Sequence, residues 1–118
     1  MRRALVQLHK AIMELERSAY EREHGRVAPG ELLQLLMHNP WFGWFRPVSE
    51  LVVQLDELLD SDEPRSEQEA QDLLREIRTL LRPAEAGEEF STRYHNALQQ
   101  DPDIILAHAE TMNLLKQP

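Results

Sequence analysis

The chain has no cysteine, which removes disulfides, thiolate metal sites and cysteine nucleophiles. Its four glycines, Gly25, Gly30, Gly43 and Gly87, stand far apart. Phosphate-binding and dinucleotide-binding loops need closely spaced glycines so that backbone N–H groups can approach an anion, and neither can be built here. None of the five serines has flanking glycines at the Gly-x-Ser-x-Gly spacing of a nucleophile elbow. The longest uncharged run covers residues 32–45, with Pro40 inside it, too short to cross a bilayer. Strand-like alternation, Asn-Gly hairpin turns, internal repeats and low-complexity tracts are also missing.

Aromatic residues are scarce, at 6% of the chain, but four of them are crowded together. Trp41, Phe42, Trp44 and Phe45 fall within five consecutive residues, bracketed by Pro40 and Pro47. Side chains of this size bury the largest apolar areas of any residues, so the segment is expected to be the plug around which the other helices close. Asn39-Pro40 and Arg46-Pro47 both restart helices, which makes the plug a single helical turn or an irregular corner.

The length, 118 residues, suits one domain, 1–118, able to bury a core without staples. Hydrophobic content of 42% and charged content of 29% are those of a folded globular protein. The net charge of −8 is unevenly spread. Residues 1–48 carry seven Lys/Arg against five Asp/Glu, whereas residues 49–72 carry nine acids against Arg65 alone. Such a field repels nucleic-acid phosphates and anionic membranes, so neither is expected as a partner. Lys10, Glu14, Glu16 and Arg17 interrupt the first residues before the apolar stretch of a leader can form. That, with the lack of cysteine, leads to the expectation of a cytoplasmic protein.

Apolar periodicity divides the chain into helices. Leu5, Leu8, Ile12, Leu15 and Ala19 form a seam on a helix over residues 2–24, with Gly25 as its left-handed terminator. A short helix over 30–38 is apolar on nearly every side through Leu32, Leu33, Leu35, Leu36 and Met37, and few of its faces are expected to see water. Val48, Leu51, Val52, Leu55, Leu58 and Leu59 mark a helix over 47–60. Ser66-Glu67-Gln68-Glu69 has the form of a capping box, opening a helix over 67–82 with Ala70, Leu73, Leu74, Ile77, Leu80 and Leu81 inward and Pro83 as its stop. Gly87 precedes a helix over 88–100 carrying Phe90, Tyr94, Ala97 and Leu98. Asp101-Pro102 starts the last, over 102–116, with Ile104, Ile105, His108, Met112 and Leu115 on one face. The fold expected is all-α, a compact bundle of four longer helices plus one or two short ones around an aromatic-centred core.

Chemistry is harder to find. Asp60 and Asp62 match two positions of a calcium-binding loop, but Pro64, Arg65 and Gln71 occupy places that such a loop needs for a ligand, a glycine and a bidentate glutamate. One Glu-x-x-His pair occurs, Glu21 to His24, where a di-iron bundle requires two. His9, His95 and His108 lie on or beside apolar stripes and would converge on a metal or haem iron if their helices were neighbours. Met37, His38, Trp41, Phe42, Trp44, Phe45 and Arg46 could instead line an apolar pocket or protein-docking patch, where aromatics and arginine are over-represented. The acidic stretch 49–72 is either a solvated face or a contact for a basic partner, such as a protein held by mimicry of nucleic-acid charge.

Two functions follow. The favoured one is a non-enzymatic helical interaction protein or regulatory adaptor, without catalytic residues or cofactor, that engages a protein partner or self-associates through an apolar helix face. The alternative is a bundle that binds a metal or haem through the three histidines, or a small apolar ligand near the aromatic segment.

Overall fold

The computed structural model describes residues 2–60, 67–82 and 88–116. Among these the chain forms seven helices and no strand: α1 (Arg2–His24), α2 (Pro29–His38), α3 (Pro40–Gly43), α4 (Arg46–Asp60), α5 (Glu67–Leu81), α6 (Glu88–Gln100) and α7 (Pro102–Lys116). The all-α class is therefore shown, with helix boundaries within a residue or two of those expected from caps, prolines and periodicity. No helix is long and apolar enough to cross a membrane among the described residues.

Four helices close a ring. α1 packs on α4 and, most extensively, on α7; α5 completes the ring by packing against both α4 and α7. α6 lies along α7, and α2 rests on α3. The seam residues Leu5, Leu8 and Ile12 meet Val48, Leu51 and Leu55 of α4, Leu73, Ile77 and Leu81 of α5, and Ile104, Ala107 and Leu115 of α7 in one buried cluster. Each of the valine, leucine and isoleucine side chains contributes about 1.5–3 kcal/mol through its removal from water. Toward the C-terminal half of α1 the seam is looser, and Leu15 is only half-buried.

The terminators behave as their chemistry dictates. Gly25 has φ +89°, and its N–H reaches the Glu21 carbonyl at 2.9 Å. A Cβ there would meet nothing within 4 Å, so the demand for glycine comes from the backbone conformation and not from crowding. Asp101 accepts the Asp103 N–H at 2.9 Å and caps α7. At the other end of α7, Arg78 of α5 donates to the Leu115 carbonyl at 2.8 Å, satisfying a terminal acceptor from outside the helix. The capping box at Ser66, the stop at Pro83 and the break at Gly87 lie outside the described residues, as do Asp62 and Glu63 of the acidic loop.

Three expectations about burial fail. Leu59 and Ile105, placed on inward stripes, are exposed: Leu59 lies in the last turn of α4, and Ile105 sits at the edge of the apolar arc of α7. Thr111 is fully buried without having been expected there; its hydroxyl donates to the Ala107 carbonyl one turn back, so it enters the core with its polar group satisfied. The largest discrepancy is α2. None of its ten residues is buried, whereas its all-round apolarity suggested enclosure.

Candidate functional site

The aromatic segment forms the corner between α2 and α4. The Asn39 side chain accepts the Trp41 N–H at 2.8 Å, which starts the single turn of α3 immediately after α2 ends. Phe42 and Phe45 are fully buried, Trp44 is 6% exposed and Trp41 is half-buried. The corner touches two other helices through its rings, α1 and α6, and the ring contacts continue from α6 to α7. Phe45 meets the edge of His9 on α1 at 5.7 Å, and Phe42 meets Tyr20 on the same helix at 5.5 Å. Trp44 meets Phe90 of α6 at 5.8 Å; Phe90 stacks on Tyr94 at 5.4 Å, and Tyr94 meets His108 of α7 at 5.5 Å. Edge-on and offset ring pairs of this kind add about 0.5–1.5 kcal/mol each beyond their buried area.

One charged group reaches this corner that sequence reasoning did not single out. Glu16 of α1 is half-buried beside the indoles of Trp41 and Trp44, and burial raises its pKa above the usual carboxylate value. The two indole N–H groups and the Arg93 guanidinium favour its charged form and offset part of that penalty. The Trp44 Nε1 is itself buried and has no partner at hydrogen-bonding geometry, so Glu16 lies near it without closing a bond. The signal was present in the spacing: Glu16 stands four residues from both Ile12 and Tyr20, on the face those two residues share.

The seven residues suggested as a docking or ligand site divide in two. Phe42, Trp44 and Phe45 are core and cannot meet a partner without unfolding the corner. Met37, at 54% exposed, and His38 stay at the surface with one edge of Trp41. Arg46 is exposed, but its guanidinium donates to the Met37 carbonyl at 3.0 Å and so braces the C-terminal end of α2. Leu33, 56% exposed, lies one turn before Met37 on the same face. Leu32, Leu35 and Leu36 supply the helix's inner side and are only partly buried against the core. The surface that emerges is thus the outer face of α2. Beside it runs a groove of about 410 Å³ lined by residues that include Gln34, Leu35, His38 and Pro40.

The three histidines do not converge, which corrects the idea of a shared iron or metal centre. His9 of α1 bonds the Ser49 hydroxyl of α4, with Nε2 and Oγ 2.6 Å apart. His108 of α7 bonds Tyr94 of α6, and His95 bonds Gln99 on the exposed side of α6. His9 and His108 thus sit at different helix junctions while His95 pairs within α6, and no group of three or more His, Asp or Glu among the described residues could hold a metal ion. His9 and Ser49 have the separation of a base and a nucleophile, but no carboxylate orients the other His9 nitrogen among the described residues. The bond ties α1 to α4. Burial lowers the pKa of both His9 and His108, favouring the neutral ring.

The acidic stretch is partly compensated within the fold. Arg2 reaches Asp56 at 3.4 Å and Asp60 at 3.2 Å, and Arg75 reaches Asp72 at 3.3 Å. All are exposed pairs, worth about 0–1 kcal/mol. The chain matches no family model, no curated protein and no solved structure.

Proposed function

We propose that the protein is a non-enzymatic interaction module, an adaptor or regulator that holds a protein partner on the outer face of α2. The observation that carries this reading is a ten-residue helix containing four leucines and a methionine, of which no residue is buried. Leu32, Leu35 and Leu36 lean on the core, but Leu33 and Met37 stand together on the outer face, each more than half exposed, an apolar pair suited to cover by another surface. Leu33 and Met37 supply the apolar centre, with His38 and the neighbouring groove at the rim.

A helix of ten residues is about 15 Å long, and two copies packed only through α2 would fall short of the roughly 800 Å² per partner of a standard stable interface. The net charge of −8 adds repulsion between copies. Both points favour a different protein as the partner over a second copy, and the same charge disfavours nucleic acid. The cysteine-free composition suits the cytoplasm.

A photo-reactive amino acid at position 33 tests the proposal in the native host. One dominant protein adduct, lost when Met37 is changed to Asp, is the expected result. No adduct above that formed by a control position on α5 would overturn it. Because Leu33 and Met37 are exposed, Leu33→Asp and Met37→Asp are expected to leave the melting curve within about 0.5 kcal/mol of the parent, which separates lost binding from lost fold.

A further inference from the structure

A second surface, on the far side of the chain's order, has different chemistry. α1 and the first three turns of α7 leave a groove of about 370 Å³ between them. Ala11 and Ala107 line it, and these small side chains keep it open. Leu106 stands at its edge, 68% exposed, more than the other exposed large hydrophobics among the described residues. Around this apolar strip stand Glu14, Asp101, Asp103 and Glu110, and Lys10 is the one cation among the residues that line the groove.

Local structure explains some of these acids but not the whole arrangement. Asp101 caps α7 and Asp103 lies in its first turn, where the helix dipole favours a negative charge. Glu14 is bound by Arg17 at 2.7 Å. Glu110 has no such role, and neither it nor Asp103 has an ion-pair partner among the described residues. Nor does capping account for a leucine left in water beside a channel floored by alanine.

We infer that this groove binds a short basic amphipathic segment of a partner protein. One apolar side chain of leucine or methionine size seats against Leu106 and Ala107, and flanking lysines or arginines meet Asp103 and Glu110. Charge complementarity selects the occupant: the rim repels a second copy of this acidic chain, an acidic peptide and a phosphate alike, while the apolar strip has no use for a bare cation. This site is independent of the α2 face. Together they would let one small bundle hold two segments, one apolar and one basic.

The test uses a fluorescein-labelled peptide of about twelve residues, three helical turns, built from Lys and Leu in amphipathic order, and a second peptide of equal charge with every Leu replaced by Ser. Fluorescence anisotropy against the whole protein should show the Leu peptide binding about tenfold more tightly than the Ser peptide. It should lose about tenfold on the Asp103→Asn/Glu110→Gln double variant, and a similar factor on Leu106→Ser. Amide chemical-shift changes should centre on Ala11, Ala107 and Glu110. Leu33→Asp should leave the binding unchanged, so this inference and the α2 proposal can fail separately. Equal binding of the two peptides, or equal binding to the parent and to either groove variant, would mean diffuse charge attraction and would overturn the inference. So would displacement of the peptide by millimolar calcium, which would reassign the rim as a cation site.

Discussion

The Tyr94 hydroxyl and His108 Nδ1 lie 2.5 Å apart and join α6 to α7. Tyr94 is fully buried, and burial pushes its phenol ionisation far above the ordinary value, so it stays a hydrogen-bond donor at any physiological pH. A buried phenol needs an acceptor, and His108 supplies one only as the tautomer with its proton on Nε2. Replacing Tyr94 with Phe removes the donor and leaves His108 Nδ1 half-buried and unpaired. The expected cost is about 1–2 kcal/mol, read as a lower urea midpoint with an unchanged m-value.

Burial of two histidines makes stability depend on pH. His9 and His108 both have folded-state pKa values below the usual 6.5. Between the folded and unfolded values the unfolded chain binds more protons, so stability rises with pH through that window and is lost as pH falls through it. Thermal melts recorded from about pH 8 down to about pH 5 are expected to show a falling Tm that begins just below the ordinary histidine pKa. His108→Gln should flatten part of that slope; a slope identical to the parent's would show that His108 does not contribute.

Glu16 acts with the opposite sign. Its folded-state pKa is raised above 4.5 by burial, so the folded chain binds more protons and stability falls as pH rises through the window above that value. Glu16→Gln keeps the acceptor oxygen near the indoles and removes the charge. The variant is expected to be more stable than the parent at neutral pH, with the gain vanishing in acid. Paired denaturant curves at the two pH values check this, and a gain that persists in acid would point to a cause other than the buried charge.

The aromatic corner and the α2 face should respond to truncation in opposite ways. Phe45 is fully buried and meets His9, Phe42 and Trp44. Phe45→Ala should therefore cost about 3–5 kcal/mol, a large share of the roughly 5–15 kcal/mol that holds a domain folded. Met37→Ala should change stability by no more than about 0.5 kcal/mol. Denaturant midpoints of the two variants measured side by side provide the comparison.

The helices were readable because their ends carry strong chemistry. Asn39 before Pro40, Asp101 before Pro102, and Gly25 after a long apolar seam each state a boundary through backbone constraints that tertiary context did not override. The aromatic corner was readable for a similar reason, since four large rings in five residues have few places to go. What escaped depends on the third dimension. Leucines on every side of α2 cannot reveal whether another helix reaches them, and among the described residues none covers the outer face. The stripes correctly placed His9 and His108 on or near inward faces, but a stripe does not give height along the bundle or the identity of the neighbour. Ser49 and Tyr94 could not be assigned as partners from periodicity. Glu16 was hidden by its type, because a carboxylate between two apolar neighbours is usually taken for solvent-facing.

The pairing of α1 with α7 also governs the order in which the molecule can be completed. During synthesis the ribosome must add residues 25–101 after α1 has emerged and before the first residue of α7 appears. At about 5–20 residues per second this takes on the order of 4–15 s. Through that interval the face of Leu5, Leu8 and Ile12 lacks its main cover, and the seam closes only when the last helix arrives.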